Sequence, residues 1–228
     1  MMDDLSITRI DQAKMTVVQI CRSLLERDIL KGTGGNVSVR VEGCDAFAIT
    51  PSNYDYVRMT TNDVCVLDPD LNVLSGERKP SIESGMHAGV YQHRKDVNVI
   101  LHTHQVFSSA LAVTSTSIPS LFDEQVKFLG RQIEVIPYAL SGTDRLHKKL
   151  VKKLSNQCNA YLLQNHGSIC FGPDPERAIF NVLLLDKCAQ AYVLALCTGK
   201  KVTTIPKPLR EIALDLIRSS KSPQDQNG

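Results

Sequence analysis

Three glycines fall within four positions, Gly32, Gly34 and Gly35, and they separate a helical pattern from a strand pattern. Ahead of them Ile10, Ala13, Val17, Ile20, Cys21, Leu24 and Leu25 recur at helical spacing, which predicts an amphipathic helix from Ile7 to about Asp28. Behind them Val37 to Val41 alternates apolar and polar residues as a strand does. The loop Lys31-Gly32-Thr33-Gly34-Gly35-Asn36 therefore joins helix to strand, with a backbone free to take positive φ and to approach a ligand closely.

The following stretch reads as an antiparallel meander. Glu42 to Asp45 forms a hairpin turn, Ala46 to Thr50 a second strand that stops at Pro51-Ser52-Asn53, and Val64 to Leu67 a third with a short return near Val73. Ser81 is read as the cap of a helix, followed by a buried strand from Val97 to His102 and a helix from about Gln105 to Ala112. Further on come a strand near Ile133 to Pro137, a helix from Gly142 to Leu154, a strand from Ala160 to Gln164, a long helix from Pro175 to about Cys197 and a last helix near Leu209 to Ile217. A strand-rich first half without a regular βαβ series predicts an α+β layer sandwich with a mixed or antiparallel sheet.

A chain of 228 residues can bury its core as one domain, read as 1–218, with a polar tail at 219–228 expected to be mobile. A net charge of +2 without a long basic block argues against a nucleic-acid partner, and Lys148, Lys149, Lys152 and Lys153 read as one solvated helix face. There is no run of about 18 apolar residues, and Asp3 and Asp4 make the N-terminus acidic, so a cytoplasmic protein without a membrane partner is the default expectation. Seven scattered cysteines without a CxxC pair read as reduced core thiols.

Chemistry concentrates on histidine. His102 and His104 close a buried strand, and at that spacing both rings project from one face of an extended chain. His166 sits at the end of another apolar strand, and Gly167 after it leaves room for a ligand. Three nitrogen donors with an open position make a catalytic metal site, whereas structural zinc takes four protein ligands. The competing reading is that HxH occurs by chance and a single histidine is more often a hydrogen-bonded core residue. His87, four residues after Glu83, is either a partner behind the site or a packed helix residue, and His93 and His147 read as surface positions. Glu83 in a helix's first turn is commonly a dipole partner, yet the amides of Gly34-Gly35-Asn36 and the Ser81 hydroxyl set an anion cradle beside it in the reading.

In order, the pieces Gly32-Thr33-Gly34-Gly35-Asn36-Val37-Ser38-Val39-Arg40, Ile49-Thr50-Pro51-Ser52, Lys79-Pro80-Ser81-Ile82-Glu83, His102-Thr103-His104, Ile118-Pro119 and Gln164-Asn165-His166-Gly167 resemble the class II aldolase/adducin family, in particular its L-fuculose-phosphate type. The resemblance runs from the first helix to about residue 198. It implies an αβα layer sandwich, one divalent metal per subunit held by His102, His104 and His166, zinc first with manganese or cobalt as substitutes, and a homotetramer with sites at subunit contacts. Glu83 takes the place of the acid/base residue, which also ligates the resting metal. Gly35, Asn36, Ser52, Asn53 and Ser81 fall in the segments that bind substrate phosphate.

Two departures mark this chain: Ile82 replaces a second serine and removes one hydroxyl donor, and Asn53 stands where glycine is usual. Phe122-Asp123-Glu124 follows where the fuculose-type enzyme has a tyrosine, and no tyrosine occurs after Tyr192. The resemblance implies cleavage of a ketose phosphate to dihydroxyacetone phosphate and an aldehyde through a metal-stabilised enediolate. The rivals, in order, are a decarboxylase of a phosphorylated oxo-sugar acid, a pentulose-phosphate epimerase drawing an extra acid from Asp123 or Glu124, and a non-enzymatic adducin-like binding module.

Overall fold

A computed structural model of the chain describes residues 4–220. The opening helical pattern is α1 (Asp4–Glu26), and β1 (Asn36–Arg40), β2 (Phe47–Ile49), β3 (Cys65–Leu67) and β4 (Val73–Ser75) form the expected meander. Next come α2 (Ser84–His93), β5 (Val99–Thr103), α3 (Val106–Val113), α4 (Asp123–Phe128), β6 (Glu134–Ile136) and α5 (Asp144–Val151). The chain then runs through β7 (Ala160–Leu163), β8 (Gly167–Gly172), α6 (Pro175–Cys197) and α7 (Lys207–Ser220). The strands make one sheet in the order β4-β3-β2-β1-β5-β8-β7-β6, in which β6 and β7 are parallel and all other neighbours antiparallel.

The two-residue period of strand side chains divides the core between the two faces of this sheet. Val37, Val39, Val99, Leu101, Leu162 and Cys170 belong to the cluster beneath α1, α3 and α6. Phe47, Ile49, Ile100, Leu163, Ile169 and Phe171 belong to the other, together with Met86 and Val90 of α2 and Leu146 and Leu150 of α5. Helices thus cover both faces, which makes the expected α+β sandwich an αβα arrangement with a mixed sheet. The helix α6 is long and apolar enough to cross a bilayer by length and composition alone. One of its faces, with Ala178, Val182, Leu185, Cys188 and Ala189, is buried in the protein core. Its start follows from local chemistry, since Asp174 accepts from the Arg177 amide at 2.7 Å and Pro175 occupies the first helical position. All seven cysteines are free thiols, five of them buried.

Several elements differ from the sequence expectation. Ser81 is not the cap of α2. The Ser81 amide donates to the Thr50 carbonyl at 3.1 Å, the Ser52 amide donates to Lys79 at 2.9 Å, and Pro51 bridges Pro80, so this segment is held extended. The helix starts only at Ser84, with Glu83 in the cap position. The strand β8 was not anticipated, because its apolar core is only Ile169-Cys170-Phe171 between glycines; its position between β5 and β7 supplies the pairing that the local pattern lacks. The short helix α4 was likewise unanticipated. Ser219 and Ser220 close α7 rather than opening a tail, and residues 221–228 lie outside the described residues.

Gly35 sets how tightly β1 can start beside β5. Its φ is +79°, and a Cβ there would lie 2.4 Å from the His102 carbonyl oxygen. Gly35→Ala is expected to lose about 2–4 kcal/mol, combining the left-handed backbone cost with displacement of a strand carbonyl. Urea unfolding checks this, and a variant as stable as the parent would show that the loop does not press on β5.

Candidate metal centre and active site

The ladder between β1 and β5 places Asn36 directly opposite His102, and that between β5 and β8 places Thr103 opposite Ser168. His102 lies within β5 and is fully buried, whereas His104 lies one residue past the strand end and is exposed. His166 occupies the turn between β7 and β8, where its amide donates to the Leu163 carbonyl at 3.0 Å and Asn165 takes a φ of 56°. Gly167 is required next to it, since a Cβ would stand 2.5 Å from the Thr103 carbonyl oxygen and 2.6 Å from His104 Cδ2. Glu83, 6% exposed, enters from the start of α2.

These four side chains meet. His102 Nε2 is 2.9 Å from His104 Nε2 and 3.1 Å from His166 Nε2. Glu83 Oε2 is 3.2 Å from His102 Nε2, and Glu83 Oε1 is 3.5 Å from His166 Nε2. His102 Nδ1 is 2.8 Å from the Ser168 carbonyl oxygen, which can only accept, so Nδ1 carries the proton. Burial, with His166 and His104 nearby, pushes the His102 imidazole well below its ordinary pKa, so the ring is neutral and its Nε2 presents a bare lone pair.

The donor set fits a divalent cation. Nitrogens about 2.0–2.1 Å from a tetrahedral zinc stand about 3.3 Å apart, close to the separations around His102. Glu83 Oε1 is buried without a hydrogen-bond partner, a cost that a cation would remove. The three histidines form a group whose ligand atoms all lie within 4.8 Å of one another. The exposed side of His104 opens on a cleft of about 420 Å³ lined by Arg27, Lys31, Gly34, Phe107 and Asp186 among others.

The segments read as phosphate-binding also converge. Thr50 donates its amide to the Val37 carbonyl at 3.1 Å, its Oγ1 accepts from the Val37 amide at 3.3 Å, and Thr50–Ser52 pairs with Lys79–Ser81 as described, which lays the three backbone segments side by side. Asn53 is exposed with a φ of 51°, so asparagine there holds the left-handed turn for which glycine is usually needed. Ser52 and Asn53 line a broad cleft with Arg78 and Lys79. Ile82 is 66% exposed and packs against Gly142 beside Glu83.

Asn36 is committed on both sides, with Nδ2 2.7 Å from Glu83 Oε2 and Oδ1 2.5 Å from His87 Nε2. His87 is thus both a packed core residue and a partner behind the site, and burial pushes its imidazole down to about 3. Ser38, Tyr91, Ser141 and the Ser168 carbonyl were missed by the sequence reading. Ser38 and Tyr91 extend the hydrogen bonds beyond His87, and Ser141 Oγ lies 3.4 Å from His166 Nδ1. Ser38 had a signal, being in phase with Asn36 on β1. Asp123 and Glu124 lie exposed on α4, where Glu124 faces Lys187 at 3.4 Å, and are not among the groups that meet at the histidines. His93 is exposed, as expected, and His147 is half-buried against Gly89.

Comparison with known proteins finds relatives along most of the chain. The L-fuculose phosphate aldolase of Methanocaldococcus jannaschii is 33% identical over 187 residues, covering 82% of this chain and 99% of that one. The Escherichia coli K12 L-fuculose phosphate aldolase is 31% identical over 203 residues, 89% and 93% of the two chains. A 5-deoxy-D-ribulose 1-phosphate aldolase of Bacillus thuringiensis serovar kurstaki is 31% identical over 176 residues, 77% and 82%. Among solved structures, an L-fuculose 1-phosphate aldolase superposes with a TM-score of 0.85 at 31% identity, covering 91% of this chain and 96% of that one. The profile of the class II aldolase and adducin N-terminal domain matches residues 15–193, and with this fold and histidine group the chain belongs to the class II aldolase and adducin family, as an aldolase.

Proposed function

We propose that the protein cleaves a ketose 1-phosphate between C3 and C4, yielding dihydroxyacetone phosphate and an aldehyde, with zinc held by His102, His104 and His166. The observation that carries this reading is the approach of His104 and His166 to His102 Nε2 at 2.9 and 3.1 Å, with the Glu83 carboxylate 3.2 Å from His102 and 3.5 Å from His166. The phosphates in the names of the similar aldolases support the substrate class. Bound there, the cation supplies Lewis-acid stabilisation of the negative charge that gathers on substrate oxygens as the carbon–carbon bond breaks.

The chain's own groups do the rest. In cleavage the C4 hydroxyl loses its proton to water in the open cleft as C4 becomes the aldehyde carbonyl, and Glu83 gives a proton to C3; in condensation both transfers reverse, and the buried position of Glu83 shields its transfer from bulk water. Ser52, Asn53 and Ser81, with the backbone amides of Gly35 and Asn36, orient the phosphate end, with Lys79 close by in charge, while Ile82 offers the anion no hydroxyl. The cleft beside His104 is large enough for a small phosphorylated sugar. Val106, 72% exposed at the rim of this cleft, is where the reading sets a neighbouring copy of a tetramer against the open side.

His104→Ala is expected to reduce bound zinc from near stoichiometric to background and to abolish cleavage; metal analysis of the purified variant decides this, and unchanged content and turnover would remove His104 from the site. Glu83→Gln is expected to keep the zinc yet slow solvent proton exchange at C3 of dihydroxyacetone phosphate by about 10²–10⁴-fold. Wild-type exchange in that variant would dismiss its role. A screen of ketose 1-phosphates and oxo-acid phosphates tests the reaction itself, since carbon dioxide release instead of dihydroxyacetone phosphate would identify a decarboxylase. Light scattering of the purified protein should give four times the 25.2 kDa chain mass, and a monomer would refute the shared site.

A further inference from the structure

His87 is fully buried and has no part in the chemistry described so far, yet it touches the residue that holds the proton carrier. A carboxylate accepts hydrogen bonds, so the Asn36 amide turns Nδ2 toward Glu83 Oε2 at 2.7 Å and leaves Oδ1 facing His87 Nε2 at 2.5 Å. That contact requires a proton on His87 Nε2. A neutral imidazole has one such proton, so Nδ1 accepts from the Ser38 hydroxyl at 2.6 Å, and Ser38 Oγ then accepts from the Tyr91 hydroxyl at 2.8 Å. Every donor in the series Tyr91, Ser38, His87, Asn36 points toward Glu83.

We propose that His87 is a positioning residue: its Nε2 proton locks the Asn36 amide in the orientation that holds the Glu83 carboxylate beside the three histidines. This rests on the reading of Glu83 as the proton carrier. An amide rotated by half a turn would set Asn36 Oδ1 against a carboxylate oxygen, and only the donor on His87 prevents that rotation from the far side. Ser38 and Tyr91 are hydroxyls that serve either tautomer, Tyr91 also reaching the Asn98 carbonyl at 3.4 Å, so it is the contact with Asn36 Oδ1 that fixes the proton on Nε2. Arg40, with its guanidinium 4.6 Å above the Tyr91 ring and Nη2 donating to the Tyr91 carbonyl at 2.9 Å, keeps the far end of the series in place.

Two measurements test the proposal. Nitrogen-15 NMR of the zinc-loaded wild-type protein should show His87 protonated at Nε2 and bare at Nδ1; a proton on Nδ1 overturns it. In zinc-loaded variants, His87→Leu should slow C3 proton exchange and kcat by about 10–100-fold with KM little changed, and His87→Gln, whose side-chain amide restores a donor near Nε2, should recover most of that loss. In an Asn36→Ala background, His87→Leu should cost little more. Equal impairment in the Leu and Gln variants, or the full loss with Asn36 already removed, overturns the proposal. If His87→Leu does not fold, the ring tautomer decides alone. A zinc-loaded wild-type protein that exchanges no proton would sink the reading of Glu83 instead, and the tautomer would still show whether His87 orients Asn36.

Discussion

The hydrogen bond from His102 Nδ1 to the Ser168 carbonyl, 2.8 Å long and buried, settles which nitrogen of the central histidine is bare. It exists because β8 lies beside β5 in a register that sets Thr103 opposite Ser168. The other edge of β5 meets β1, which delivers Asn36 opposite His102. One strand therefore collects the bare His102 lone pair, the group that fixes its tautomer and the amide that holds Glu83. The resulting cluster is rich in acceptors: His102 Nε2 faces two other imidazoles and a carboxylate oxygen within 3.2 Å. Such a grouping is poorly satisfied until a cation occupies it, which couples metal binding to the stability of the strand ends that carry it.

Much of the scaffold was legible because it depends on local pattern. The period of α1, the alternation in β1, and the proline-marked start of α6 at Pro175 are properties of short windows, and the structure reproduces them. The misreadings share a different cause. Ser81 looks like a helix cap within its own window, but pairing with Thr50, far away in sequence, holds it extended. The strand β8 is too short to announce itself and is stabilised by neighbours on both sides. Tertiary pairing overrode propensity in both places.

The site was legible in its donors and illegible in its supports. His102, His104, His166 and Glu83 stand out because their side chains have metal and proton chemistry. The groups that orient them are ordinary: a backbone carbonyl at Ser168, a serine at position 38, a tyrosine at position 91. On β1 the alternation sorts Val37 and Val39 from Asn36, Ser38 and Arg40, and a half-buried strand would turn the second set to water. Here α2 covers that face, so Asn36 and Ser38 are buried and bonded to one another through His87. Polar residues on the covered face of a central strand cost free energy unless each finds a partner, and at this position the partners lead to the acid.

The glycines show the same economy of position. Read from sequence, Gly34 and Gly35 free amides for an anion, and Gly167 leaves space for a ligand. In the fold all three press against the HxH segment: a Cβ on Gly34 would lie 3.3 Å from His104 Nδ1, one on Gly35 would meet the His102 carbonyl, and one on Gly167 would meet Thr103 and His104. Their first consequence is steric, since they let the start of β1 and the turn before β8 close on the end of β5 from opposite sides. Only with that closure can Asn36 reach Glu83 and His166 reach His102, so the same backbone freedom that suits an anion also sets His104, His166 and Glu83 around His102 Nε2 at 2.9–3.2 Å.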